Sequence, residues 1–278
     1  ALSGHYLDQE LSDNLYRVIK QFFALPEDIK MQYEIEGLAG QRGYTSFGKE
    51  TAKGFKVPDL KEFWQFGQKA NKENDGHPAF PKNINVEELP MFNPLGMKSF
   101  KILESIGIEL MKAIALHLKC DEDFFTSHVS GGNSILRAIH YPPLAANPGD
   151  ALRSAEHEDI NLITLLMGAS SKGLEVKMRD GSWLALQAEP GQLIVNVGDM
   201  LQRLTNNVLP STTHRVINPE EEDWTNPRFS LPFFLHPKPE MPLNCLPQCV
   251  EESQSKEYDD ILAGDYLIQR LKEIGLIK

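Results

Sequence analysis

The stretch Leu174-Glu-Val-Lys-Met-Arg-Asp-Gly-Ser-Trp-Leu-Ala-Leu-Gln187 decides how the chain is read. Two short β-prone runs, 174–178 and 183–187, flank Asp180-Gly181, a dipeptide that supplies the positive φ of a tight hairpin. The same texture extends in both directions, with further short runs at 134–141, 160–166, 192–197, 214–217 and 229–235. Strands this short and this numerous, parted by turns, predict two facing sheets. The expected fold is mainly β with flanking helices, built on a double-stranded β-helix (jelly roll) core with an N-terminal helical region.

Helical periodicity occupies both ends. Residues 7–25 place Leu11, Leu15, Val18, Ile19 and Phe22 on one face, and Pro26 opens a new helical turn. After a Gly-rich stretch at 37–54, residues 62–67 read as a strand, and 69–85, with Pro78 and Pro81, read as a loop. Asn93 is expected to cap a long helix with Pro94 in its first position and a stripe of Leu95, Ile102, Leu103, Ile106, Leu110 and Ile114. Residues 256–276 read as a closing helix. The expected organisation is one structural unit: a helical region at 1–125 packed on a jelly-roll core at 126–250, with a C-terminal helix at 251–278.

A chain of 278 residues can bury a substantial core. Its net charge of −11 argues against nucleic acid or an anionic membrane as partner, though not against an anionic small substrate, since a pocket follows local charge. Oligomeric state is not legible, and a monomer is compatible with the composition. Three cysteines, Cys120, Cys245 and Cys249, are too few and too odd in number for a disulfide framework, which points to a reducing, cytoplasmic compartment. Cys245 and Cys249 could share a metal, but no second pair lies near them. No apolar run approaches the ~20 residues that span a bilayer. The start, Ala1-Leu-Ser-Gly-His-Tyr6, shows no signal-peptide pattern and no initiator Met, and reads as a shortened N-terminus.

The chemistry gathers in the β-rich part. In an extended segment His157 and Asp159 would share one face while Glu158 points away. His214 follows from a later strand. Two imidazoles and one carboxylate can cap one side of a metal and leave the rest of its coordination sphere open, as in non-haem iron oxygenases, although zinc hydrolases use the same ligand types. Taken alone, His-x-Asp also fits a surface histidine beside a carboxylate. Arg228 and Ser230 lie at i and i+2 of a predicted strand, on a face continued by Pro232 and Phe234. An arginine fork fits a carboxylate and the serine adds a donor. The competing reading is an ion pair of Arg228 with Glu221 or Asp223. Tyr141 could donate to the same ligand or be a core tyrosine.

These residues carry a resemblance. His157-Glu-Asp-Ile-Asn-Leu-Ile-Thr164, Leu204-Thr-Asn-Asn207, His214-Arg-Val216 and Arg228-Phe-Ser-Leu-Pro-Phe-Phe234 resemble the isopenicillin N synthase-like branch of the iron(II)/2-oxoglutarate-dependent dioxygenases. Phe22-Phe-Ala-Leu-Pro-Glu27, Arg42-Gly-Tyr44, Pro58-Asp-Leu-Lys-Glu-Phe63 and Tyr141-Pro-Pro143 are similar to that branch's N-terminal half. The resemblance implies iron held by His157, Asp159 and His214, and 2-oxoglutarate gripped by Arg228 and Ser230 with Tyr141 near it. It implies Gln65, Thr164, Leu166 and Phe234 on the substrate side, in a pocket built by 43–47, 62–67 and the C-terminal helix. The implied reaction uses O2 to oxidise a small molecule by hydroxylation, desaturation or ring closure, releasing succinate and CO2. The alternative within the branch is an oxidase that uses iron and O2 without 2-oxoglutarate. That reading is weakened by a chain that stops at Gly275-Leu-Ile-Lys278 without a Gln-containing tail, and by Gln41 where a substrate-reading base is expected. A non-catalytic metal-binding jelly-roll module is the remaining alternative.

Overall fold

The computed structural model describes all residues except 39, 53, 70–79, 146, 190, 277 and 278. Most of the loop expected at 69–85, including Pro78, therefore lies outside the described residues. The chain starts with helix α1 (Gln9–Phe23) and a short α2 (Glu27–Met31). The Asp8 carboxylate caps α1 by accepting from the Leu11 amide at 2.7 Å. Strands β1 (Gly43–Thr45) and β2 (Glu62–Gly67) precede the long helix α3 (Phe92–His117) and the short α4 (Thr126–Val129).

Eight strands follow: β3 (Ile135–Tyr141), β4 (Ser154–His157), β5 (Ile163–Met167), β6 (Leu174–Lys177), β7 (Trp183–Ala185), β8 (Leu193–Val197), β9 (His214–Val216) and β10 (Arg228–Leu235). Helix α5 (Asp199–Leu204) lies between β8 and β9, while α6 (Pro247–Ser253) and α7 (Ala263–Glu273) close the chain. The strands make a six-stranded sheet in the order β1-β2-β3-β10-β5-β8 and a four-stranded sheet in the order β4-β9-β6-β7. Every pairing among these strands is antiparallel, which is the two-sheet jelly roll expected.

Alternation along the strands assigns each face of the larger sheet. On β10, Phe229, Leu231, Phe233 and Leu235 join the main core, whereas Arg228, Ser230, Pro232 and Phe234 face the space between the sheets. On the core side α1 contributes Leu11, Leu15, Ile19 and Phe22, and α3 contributes Phe92, Phe100, Leu103 and Met111. Gly96 lets α3 approach the sheet, since a Cβ there would fall 2.4 Å from the Phe66 ring. This core runs from Leu7 to Ala263, so the helical ends and the strands share one interior.

Several expected boundaries move, each for a tertiary reason. Asn93 does not cap α3. It sits inside the first turn, and its amide donates to Ile84 O at 2.6 Å and Asn85 Oδ1 at 3.0 Å, tying the helix to the preceding loop. Pro94 is tolerated because the first turn needs no amide donor. The closing helix begins only at Ala263. Leu243 N donates to Ile261 O and Ala263 N to Met241 O, so 261–263 runs extended against 241–243 instead of helical. β5 begins at Ile163 rather than 160, since Met200 N and Gly198 N take the Asn161 and Leu162 carbonyls. β1, α4, α5 and α6 had no recognised sequence signal. The Asp180-Gly181 hairpin forms as expected, with Gly181 at φ +84° between β6 and β7.

Candidate metal and carboxylate site

Between the two sheets lies a cavity of about 620 Å³. It is lined by all ten residues singled out from the sequence: His157, Asp159, His214, Arg228, Ser230, Tyr141, Gln65, Thr164, Leu166 and Phe234. Segment 43–47 does not line it. Tyr44 turns to the opposite face of the sheet, where its hydroxyl donates to Glu62, and the neighbouring Glu50, Thr51, Ala52 and Phe55 form that wall instead.

His157 and His214 are direct register partners across β4 and β9, next to an irregularity in the β4 pairing, and their ring centroids lie 4.4 Å apart. Each Nδ1 is hydrogen-bonded to a backbone carbonyl, Ala155 O at 2.7 Å and Thr212 O at 2.9 Å. Both Nδ1 atoms therefore carry the proton, and both Nε2 atoms are bare lone pairs directed at Asp159. Asp159 is not on the strand. It follows β4 in a turn fixed by the bond from Asp199 N to its own carbonyl at 2.9 Å, so strand alternation is not what brings it to the histidines.

Asp159 Oδ1 lies 3.7 Å from His214 Nε2 and 4.0 Å from His157 Nε2, and the three candidate ligand atoms fall within 4.8 Å of one another. Its other oxygen, Oδ2, accepts from Thr164 Oγ1 at 2.6 Å and Asn196 Nδ2 at 2.9 Å. One oxygen is thus held and one is free to ligate. Thr164 lines the cavity with its hydroxyl donated to the Asp159 carboxylate. Asn196 was not singled out from the sequence, although it alternates with Ile194 on the cavity face of β8.

The electrostatics favour a cation here. Burial would raise the Asp159 pKa, but His214, His157 and the two hydrogen bonds outweigh it and hold the carboxyl below its usual range. Burial, then His214 and Lys61, push His157 down to about 4, so its imidazole is neutral at pH 7. Two imidazoles held in orientation by backbone carbonyls, with one carboxylate beside them, fit a divalent metal with an open coordination sphere.

Arg228 stands at the other end of the same face, opposite Tyr141 in the β3–β10 register, with its guanidinium 5.0 Å from the Tyr141 ring centroid. It is 1% exposed. Nε donates to Ser171 O at 3.3 Å, while Nη1 has no partner among the described residues. Among the described residues no carboxylate pairs with it, so the ion pair with Glu221 or Asp223 does not form. A buried cation with an orphaned donor opening on a cavity is the complement of a carboxylate.

Gln65 lines the cavity but is internally engaged. Its Nε2 donates to Gly40 O, and its Oε1 accepts from Arg137 Nε at 3.1 Å. Arg137 belongs to a charge cluster that sequence reading missed, with Glu50, Asp59 and Lys61. Its signal was available: Ile135, Arg137, Ile139 and Tyr141 alternate inward on β3. Helix α7 covers one side of the cavity with Leu267, Leu271 and Ile274. It is anchored through Asp199 Oδ2, 3.0 Å from Tyr266 OH and 3.3 Å from Arg270 Nε. Among the described residues no disulfide joins Cys120, Cys245 or Cys249, and the triad is the only potential metal cluster.

Comparison with known proteins gives a consistent result. Residues 132–237 match the 2OG-Fe(II) oxygenase superfamily, and residues 1–88 match the N-terminal region described as non-haem dioxygenase in morphine synthesis. A 2OG-Fe(II) oxygenase family protein of Caulobacter crescentus is 44% identical, with 98% of this chain and 88% of that one covered at a TM-score of 0.87. A full-length Neurospora crassa protein in complex with alpha-KG (2-oxoglutarate) and thymine is 29% identical, with 98% and 86% covered at a TM-score of 0.84. The 2-oxoglutarate-dependent dioxygenase htyE of Aspergillus rugulosus is 30% identical, with 93% and 83% covered.

Proposed function

Because the chain belongs to the 2OG-Fe(II) oxygenase superfamily, we propose that His157, Asp159 and His214 hold its iron(II) and that Arg228, Ser230 and Tyr141 hold its 2-oxoglutarate. The protein is a non-haem iron(II)- and 2-oxoglutarate-dependent dioxygenase that oxidises a small molecule. When bound, iron(II), 2-oxoglutarate and O2 together supply the oxidising chemistry, and the keto acid leaves as succinate and CO2.

The chain's own residues do the positioning. The Ala155 and Thr212 carbonyls keep both imidazoles in the ligating tautomer. Thr164 and Asn196 fix the free oxygen of Asp159 towards the histidines. Arg228 Nη1 and the Ser230 hydroxyl would donate to a carboxylate of 2-oxoglutarate, and the Tyr141 ring lies 5.0 Å from the guanidinium. Leu166 and Phe234 line the remaining space for substrate, and α7 excludes water from one side. Residues 1–125, 126–250 and 251–278 act as one unit, in keeping with their common core.

The observation that carries this reading is the buried, unpaired Arg228 on the cavity that also holds the triad. The Neurospora relative solved with alpha-KG supports the 2-oxoglutarate assignment over an oxidase that needs none. The test is succinate release by the iron-loaded protein in air. It is expected to require added 2-oxoglutarate, and oxidation of a substrate without the keto acid would return the oxidase reading. A cytoplasmic location is part of the proposal, supported by three cysteines that form no disulfide among the described residues, and no described helix is long and apolar enough to cross a membrane.

A further inference from the structure

The cavity has two basic poles, and they are not equivalent. At the second, Arg137 sits beside Gln65 in the β2–β3 register, with its guanidinium 4.2 Å from the Phe63 ring centroid and 5.3 Å from that of Phe234. One ring comes from each neighbouring strand, so the guanidinium has an aromatic neighbour on both sides. Nε donates to Gln65 Oε1 at 3.1 Å, and Nη1 donates to Glu50 Oε2 at 3.1 Å and Oε1 at 3.4 Å. Among the described residues Nη2 makes no hydrogen bond, and the side chain keeps 15% of its surface on the cavity.

The charge at this pole is already balanced. Lys61 Nζ lies 2.7 Å from both Glu50 Oε1 and Asp59 Oδ2, giving two cations against two carboxylates. Burial would raise the Glu50 pKa, but Lys61 and Arg137 outweigh it and hold Glu50 at about 2, so the balance persists at working pH. A second anion brought here would meet no uncompensated charge and would lose its hydration. A carbonyl-type acceptor would instead take the spare N–H of Arg137 at little electrostatic cost. The walls between the poles, Ile135, Leu166, Leu174 and Phe234, suit an apolar or planar body.

We propose that Arg137 is the substrate-reading residue of this cavity and that it selects an uncharged substrate carrying a carbonyl-type acceptor on an apolar or planar body. The assignment rests on Arg228 taking the 2-oxoglutarate, which leaves the Arg137 pole for the primary substrate.

Three probes of one shape test it: benzamide, benzoate and benzylamine, titrated anaerobically into the protein loaded with iron(II) and 2-oxoglutarate and followed by ligand-observed NMR. Wild type is expected to bind benzamide roughly tenfold more tightly than either ion, the size of one lost charge-assisted hydrogen bond. In Arg137→Met that preference disappears. In Glu50→Gln, which leaves the pole with a net positive charge, the order reverses in favour of benzoate. The visible band of the 2-oxoglutarate-loaded iron protein, recorded on the same samples, is expected in all three proteins. Its absence from wild type would mark failure of the underlying cofactor reading. Its loss in Arg137→Met alone would place Arg137 on the keto acid and overturn the proposal. Equal binding of the probes by wild type, no binding of any, or a benzamide preference kept by both variants overturns it as well.

Discussion

Arg228 and Arg137 stand on adjacent strands of one sheet and open on one cavity, yet their surroundings differ in one decisive respect. Arg137 is locked to Glu50 and Gln65 and lies within a balanced cluster. Arg228 is more deeply buried and, among the described residues, has no ion-pair partner and no hydrogen-bond partner for Nη1. Burying a lone guanidinium costs several kcal/mol, on the order of the desolvation of any unpaired ion, so a fold that keeps one has left room for the missing anion. What neutralises each arginine, and not its mere presence, tells which ligand each pole accepts.

The sharpest way to break this comparison is to remove what both poles serve. His214→Ala deletes one of three ligands and is expected to lower metal affinity and succinate release by more than about a hundredfold, beyond the 10–100-fold typical of losing an outer-sphere partner. Metal content after dialysis and succinate assay check it; retained turnover would remove the metal site. Next in size, Arg228→Ala should weaken 2-oxoglutarate by about a hundredfold and leave iron(II) affinity within about twofold, the scale expected for one buried charge-assisted pair. Calorimetric titration of both ligands separates the two effects.

Thr164→Val sharpens the picture near the triad. If Thr164 orients Asp159, metal affinity falls by about tenfold while 2-oxoglutarate affinity measured at saturating metal stays put. A change confined to substrate selectivity would instead return Thr164 to the substrate side. The last effect is read in stability instead of ligand affinity and concerns His236, a buried cavity residue that feels the charges of Asp159 and Arg137. Burial chiefly, with Arg137 adding to it, depresses its pKa to about 4. The unfolded chain, with a value near 6.5, then binds more protons than the folded one between about pH 6.5 and 4, so stability falls as pH drops through that window. His236→Gln should remove up to about 2 kcal/mol of the loss in unfolding free energy between pH 7 and 5. Urea denaturation at the two pH values measures it, and an unchanged pH slope would contradict the assignment.

The sequence was most legible where one period ruled. Alternation on β10 separated Arg228, Ser230, Pro232 and Phe234 from the core residues between them, and the 62–67 strand appears with the bounds expected. Legibility failed where backbone groups answered to distant partners. The segment 256–262 is periodic enough for a helix, yet its end pairs with 241–243. Asp159 reaches the histidines through a turn set by Asp199 and two side-chain donors, none of which a His-x-Asp spacing encodes. The balance at Arg137 was invisible because Glu50 and Lys61 lie 87 and 76 positions away in sequence (137 − 50 and 137 − 61).

On this reading His157, Asp159, His214 and the buried Arg228 form a single iron and keto-acid site. Anaerobic titration of 2-oxoglutarate into the iron(II)-loaded protein tests it most directly. Wild type should develop a weak visible absorption band that saturates with the keto acid, and Arg228→Ala should need about a hundredfold more to reach the same intensity. No band in wild type, or an identical titration curve in the variant, contradicts the account.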